Sequence, residues 1–174
     1  RGIIPRYRAL ATRGQIELST TPHSHPLAPL LIDFASAREA EPAAELPAAS
    51  YYQGGRARTT AQLQAAVASH AARFGAPPAG VWPAEGAVSN ALLTLLSGAA
   101  CRWTAGSESV LVNSLRRTAH ELPPREQYLY RPYLVDSAPD VAMFFRDDKL
   151  SDLIGFEYSS GQGRDAAANL VARW

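Results

Sequence analysis

Apolar residues near the start of the chain, Ile3, Ile4, Tyr7 and Leu10, recur at helical spacing, and Gly14 supplies a stop. The pattern changes at Gln15. GQIELSTT alternates polar and apolar positions, which predicts a strand over Gln15–Thr20. Pro22 and Pro26 impose an irregular turn, after which Leu27–Phe34 reads as a short helix. Residues 35–58 are rich in Ala, Glu, Pro and Gly and read as a long, partly mobile excursion. Thr59, with Gln62 three residues on, has the form of a capping box, so the helix TAQLQAAVASHAARFG is expected to start there and to end at Gly75.

The second half alternates strand and helix. GVW, at Gly80–Trp82, is a brief apolar strand punctuated by Pro83 and Gly86, and Ser89 opens a helix over Asn90–Ala99. CRWTA is a strand, and SESVLVNSLRR is a helix with Ser107 at its N-cap. LYRPYLV and VAMFFR are two more strands. Pro132 interrupts the first, which marks it as an edge or bulged strand. KLSDLIGFEYSS and RDAAANLVARW close the chain as helices, and no repeat period is visible. The alternation predicts an α/β domain, a parallel sheet of about five strands with crossover helices. Five strands form an open sheet but do not close an eight-stranded barrel.

Composition narrows the class. With 174 residues, 47% hydrophobic and 19% charged, the chain can bury a core as one domain spanning 1–174. A net charge of +1 gives no electrostatic case for nucleic acid or a membrane surface. No apolar run approaches the roughly 18 residues of a membrane span, and the N-terminus lacks signal-peptide form, which points to a cytoplasmic protein. The single cysteine, Cys101, lies in an apolar stretch and reads as a buried core thiol. The chain opens inside a helix without an initiator Met, so a piece of a longer protein is expected.

Candidate chemistry gathers at predicted strand ends: Glu85 after GVW, Ser107 and Glu108 after CRWTA, and Asp147 and Asp148 after VAMFFR. In α/β folds, the carboxyl ends of strands display catalytic groups. Glycoside hydrolysis needs two carboxyl groups facing one bond, one as nucleophile or base and one as proton donor. Trp82 and Trp103 suit sugar stacking, or alternatively fill the core. Within the cluster Arg146, Asp147, Asp148 and Asp152, one of Asp147 and Asp148 is expected to cap the following helix. His70 and His120 read as structural or solvated.

Four segments, GQIELSTTPHSHPLAPLL, FGAPPAGVWPAEGAVS, WTAGSESVLVNSL and FFRDDKLSDLIGFEYSS, together resemble the middle of a glycoside hydrolase family 57 catalytic domain, in order and spacing over nearly the whole chain. The resemblance implies part of a (β/α)7 barrel of the glycoside hydrolase and deacetylase type. It also implies an α-glucan or oligosaccharide substrate, a retaining mechanism of the amylase or glucanotransferase kind and no cofactor. The remainder of the barrel would be a further partner. It assigns Glu85, the Glu of W-x-x-E, as nucleophile, and Glu17 and His25 to the substrate cleft.

One position departs. The family's acid/base is the Asp of a pattern resembling W-x-A-T-D-E-x-V-L, whereas this chain reads WTAGSESVL, with Ser107 at the Asp. A serine hydroxyl is too weak an acid to protonate a leaving group. Glu108 is a possible substitute, although as the next residue its side chain should point the other way. A catalytically impaired carbohydrate-binding or scaffold relative is therefore the alternative. A third reading is a metal-dependent polysaccharide deacetylase, for which His23 and His25 with Asp33 and Glu17 would supply ligands, but no third ligand sits at a persuasive spacing and no metal is expected.

Overall fold

The computed structural model describes residues 2–118 and 121–173. His120 and Trp174 lie outside the described residues. The N-terminal helix α1 runs Ile3–Thr12 and is followed by strand β1, Ser19–Thr20. Helices α2 (Ala28–Ile32), α3 (Ala37–Ala40) and α4 (Gly55–Phe74) lead to strand β2, Gly80–Val81. Helix α5 (Asn90–Gly98) then connects to β3 (Trp103–Ser107), and α6 (Glu108–Arg116) follows it. The short helix α7 (Arg125–Tyr128) precedes β4 (Tyr133–Val135) and β5 (Ala138–Arg146), and α8 (Asp148–Gly155) and α9 (Gly163–Arg173) end the described chain.

The five strands form one sheet in the order β1-β2-β3-β5-β4. β1, β2, β3 and β5 are parallel, as expected for crossover helices, whereas β4 runs antiparallel to β5. Among the described strands that edge pair is the exception to the expected parallel arrangement. Only Asp136 and Ser137 separate β4 from β5, and a two-residue turn can join only antiparallel neighbours. β4 is the edge strand with a register irregularity that Pro132 predicted.

β1 is shorter than the expected Gln15–Thr20. Its neighbour β2 lies between Pro77-Pro78 and Pro83, which have no N–H to offer, so the shared ladder extends over two residues only. The start of α4 is also corrected. It begins at Gly55 rather than at Thr59, and Thr59 is fully buried one turn inside. Arg56, Ala57 and Arg58 are good helix formers that extend the helix backwards. Gly55 lets it start against α2, because a Cβ there would collide with the carbonyl oxygen of Leu31. The excursion is correspondingly reduced. Its first part folds as α3, where Glu39 accepts from the Asn90 backbone N–H at 3.1 Å, and the Ala40 carbonyl accepts from Asn113 at 2.6 Å.

The two faces of the sheet differ. Val81, Val141 and Met143 point into the main core with Leu63, Leu92, Leu93 and Leu96 from α4 and α5. Cys101 belongs to this core. Burial pushes its thiol pKa up, and Sγ donates to the Trp103 carbonyl at 2.9 Å. The opposite face carries Trp103 with its ring over Gly80 and edge-on to Phe144 at 6.3 Å, and Phe144 remains 44% exposed. Two caps follow the sequence closely: Ser89 accepts from Leu92 N–H at 3.2 Å, and Asp147 accepts from Leu150 N–H at 3.0 Å. His70 is structural, bonded through Nδ1 to the Ala76 carbonyl at 3.0 Å.

Candidate active site

The carboxyl ends of the parallel strands lie along one edge of the sheet, and each feeds a short segment with chemistry. After β1 come His23 and His25; after β2, Glu85; after β3, Ser107 and Glu108; after β5, Asp147. Glu85 sits in a tight 3-10 turn, Ala84–Gly86, with φ 55° and ψ 19°. His25 is also left-handed, at φ 49°. The left-handed region costs a non-glycine residue about 1–2 kcal/mol, and such residues concentrate where backbone geometry serves a site.

These two residues meet. The His25 imidazole donates through Nε2 to Glu85 Oε1 at 2.9 Å, and both side chains are more than half exposed. An ionised carboxylate can only accept, so the bond fixes the Nε2–H tautomer. As an exposed pair it contributes about 0–1 kcal/mol to stability, and its main effect is to aim the carboxylate. The second Glu85 oxygen has no protein partner among the described residues.

Gly86, at φ 65°, continues the left-handed turn and brings it against the next strand. The site of a Cβ on Gly86 lies 3.9 Å from both Gly106 Cα and Ser107 N. The backbone that carries Glu85 therefore runs close to the backbone that carries Ser107, with room between them for little more than a methyl group. Trp82 is half-buried beside the turn, donates its backbone N–H to the Thr20 carbonyl at 2.8 Å, and by alternation shares the Gly80–Trp103 face of the sheet.

Ser107 caps α6. Its Oγ accepts from Val110 N–H at 3.4 Å and shares a 2.8 Å hydrogen bond with Ser109. Glu108, the possible substitute acid, is paired with Arg125. Both of its oxygens accept from Arg125, each at 2.5 Å. The carboxyl is thus turned towards α7 and engaged on both oxygens by Arg125. Arg125 also reaches Asp147 at 2.8 Å. That contact, with further hydrogen bonds from Tyr130 and from Leu150 N–H, holds the Asp147 carboxyl well below the usual carboxylate range.

Glu17 and Trp103, expected to contact substrate, are bonded to each other near the starts of β1 and β3. Trp103 opens β3, four residues before Ser107, and Glu17 precedes β1. Trp103 Nε1 donates to Glu17 at 2.6 Å, and Arg102 donates to the other Glu17 oxygen at 3.1 Å. At about 3.3 Å per residue, Trp103 lies some 13 Å down the strand from Ser107, at the opposite edge of the sheet. Glu17 orients neighbours there and does not face Glu85.

The residues of the deacetylase reading are engaged separately. His25 is bonded to Glu85, His23 to Ser24 at 3.0 Å, Asp33 caps the turn at Ala35 N–H at 2.8 Å, and Glu17 is at the far edge. Among the described residues no group of three or more His, Cys, Asp or Glu side chains is placed to hold a metal ion. Arg125 and Tyr130 were missed in the sequence. The only signal was Pro123-Pro124 before Arg125, which sets that residue at the start of a short helix.

A parallel sheet with the exposed Glu85 carboxylate and Ser107 following the carboxyl ends of adjacent strands agrees with the family comparison. The model for glycosyl hydrolase family 57 matches residues 1–174. The chain belongs to this family. No curated protein matches it. Among solved structures, the α-amylase AmyC from Thermotoga maritima is 19% identical with a TM-score of 0.57, over 87% of this chain and 24% of that one. The family 57 branching enzyme from Pyrococcus horikoshii is 19% identical with a TM-score of 0.54, over 86% and 25%. The 4-α-glucanotransferase from Thermococcus litoralis is 20% identical with a TM-score of 0.53, over 88% and 19%. The chain thus spans about a quarter of the length of such proteins. The likeness is one of fold, and the architecture is that of part of a (β/α)7 barrel. Among the described residues no helix is long and apolar enough to cross a membrane.

Proposed function

We propose that this family 57 chain carries the nucleophile of a retaining, α-glucan-active hydrolase or glucanotransferase whose acid/base position is replaced by Ser107. The observation that carries the reading is the aimed, exposed Glu85 carboxylate at the C-terminal edge of the sheet, with one oxygen held by His25. Glu85 attacks the anomeric carbon, the glycosidic C–O bond breaks, and a glycosyl ester forms. Water or a second sugar hydroxyl then displaces the carboxylate. The departing oxygen needs a proton in the first step, and Ser107 does not supply one. Leaving groups of low basicity depart unaided, whereas a sugar hydroxyl does not.

The alternative, a glucan-binding relative without turnover, is favoured by the Ser107 hydroxyl being engaged in capping α6. An activated dinitrophenyl α-maltoside separates the two. Turnover that azide accelerates, with an α-configured glycosyl azide as product, and that Glu85→Gln abolishes, supports the nucleophile. Turnover unchanged by Glu85→Gln overturns it. Absence of turnover with maltoheptaose binding intact establishes the binder.

A further inference from the structure

Tyr130 combines two properties that rarely coincide: it is 58% exposed, and its hydroxyl is fully engaged. The hydroxyl donates to Asp147 at 2.6 Å and accepts from Arg125 at 3.2 Å. The Arg125 guanidinium lies 6.0 Å from the ring centroid. Asp147 is itself fixed as the cap of α8, and Arg125 is fixed by Glu108. The residues just before Tyr130, Tyr128 and Leu129, are buried against Leu111. An exposed tyrosine normally offers its polar tip to water. Here the tip is committed inside the protein, and the part presented to solvent is a ring held in one orientation.

The position is informative. Asp147 and Glu108 follow the carboxyl ends of β5 and β3, so Tyr130 stands on the same edge of the sheet as Glu85. β2 and β5 are two strand spacings apart, about 10 Å. An offset of that order between the strands suits a residue further along an oligosaccharide from the sugar attacked by Glu85. Sugars pack their apolar C–H faces on aromatic rings. A ring already immobilised loses little side-chain entropy when it does so.

We propose that Tyr130 is the stacking platform of a remote glucosyl subsite, pinned in place by Asp147 and Arg125; the inference rests on the α-glucan reading above. It selects for chain length, because only a ligand extending past the reacting sugar reaches it.

The test is calorimetric titration of Glu85→Gln protein, which cannot turn over, with maltotriose and maltoheptaose. Tyr130→Ala is expected to weaken maltoheptaose binding about tenfold and to leave maltotriose nearly unchanged. Tyr130→Trp, which keeps an aromatic face, is expected to retain the preference for the longer chain. Ring-proton shifts of Tyr130 on addition of maltoheptaose to the Glu85→Gln protein read the contact without a change at position 130. Equal weakening of both ligands by Tyr130→Ala, no effect on either, or unshifted ring protons with bound maltoheptaose overturns the platform alone. Failure of the Glu85→Gln protein to bind either oligosaccharide, with its fold intact, overturns the α-glucan reading together with it.

Discussion

His25 Nε2 and Glu85 Oε1 are hydrogen-bonded at 2.9 Å although 60 residues separate them, and each stands on a left-handed backbone at the carboxyl end of a neighbouring strand. His25 follows β1, Glu85 follows β2, and the pairing of those strands brings their loops together. Because the pair is exposed, its strength is a matter of direction more than of stability.

Replacing His25 with Ala is therefore expected to lower kcat/KM on an activated α-maltoside by about tenfold to a hundredfold, the scale of a misaimed reacting group. The melting temperature should stay within a few degrees. A large loss of Tm with an unchanged rate would show the imidazole to be structural.

Ser107→Asp is expected to introduce the missing proton donor without dismantling α6, since Asp caps a helix as well as Ser does. General acid catalysis contributes about 10²–10⁴-fold. The gain should appear with maltoheptaose and remain small with a dinitrophenyl leaving group, which needs little protonation. Reducing-sugar release on the two substrates measures it, and equal gains on both would refute the assignment.

Asp147 sets a pH dependence. Its folded-state pKa is depressed, first by Arg125, so its contribution to stability is present above the unfolded aspartate value near 3.9 and is lost as pH falls through the folded value. Asp147→Asn is expected to be less stable than the parent at pH 6 and to lose less on acidification below about pH 4. Chemical denaturation at pH 6, 4 and 3 compares the slopes. Parallel curves would mean that Asp147 does not report on the acid limb.

Much of the sheet side of the molecule was legible from local pattern. Ser89 and Asp147 cap as their positions suggested, Pro132 marked an edge strand, and Cys101 is in the core. What was illegible depended on partners distant in sequence. The Thr59–Gln62 signal was a local one, overridden because Gly55 could pack directly on α2. The bond between Glu17 and Trp103 joins residues 86 apart, and only the pairing of β1, β2 and β3 brings them together. Arg125 had no signature beyond the Pro123-Pro124 pair before it, because its role arises only when α7 lies beside the ends of both β3 and β5. The Glu85 turn was readable in outline from Pro83 and Gly86, but its left-handed geometry was not.

The seat of Gly86 on Gly106 and Ser107 has a wider consequence. Glycine at both 86 and 106 keeps the turn after β2 close to the end of β3, with Trp82, Val88 and Met143 packed around the two glycines. Residue identity at 107 can accordingly change without carrying position 85 along with it. Exchange of the residue at 107 should then alter the cap of α6 and the local chemistry while leaving the Glu85 turn in place.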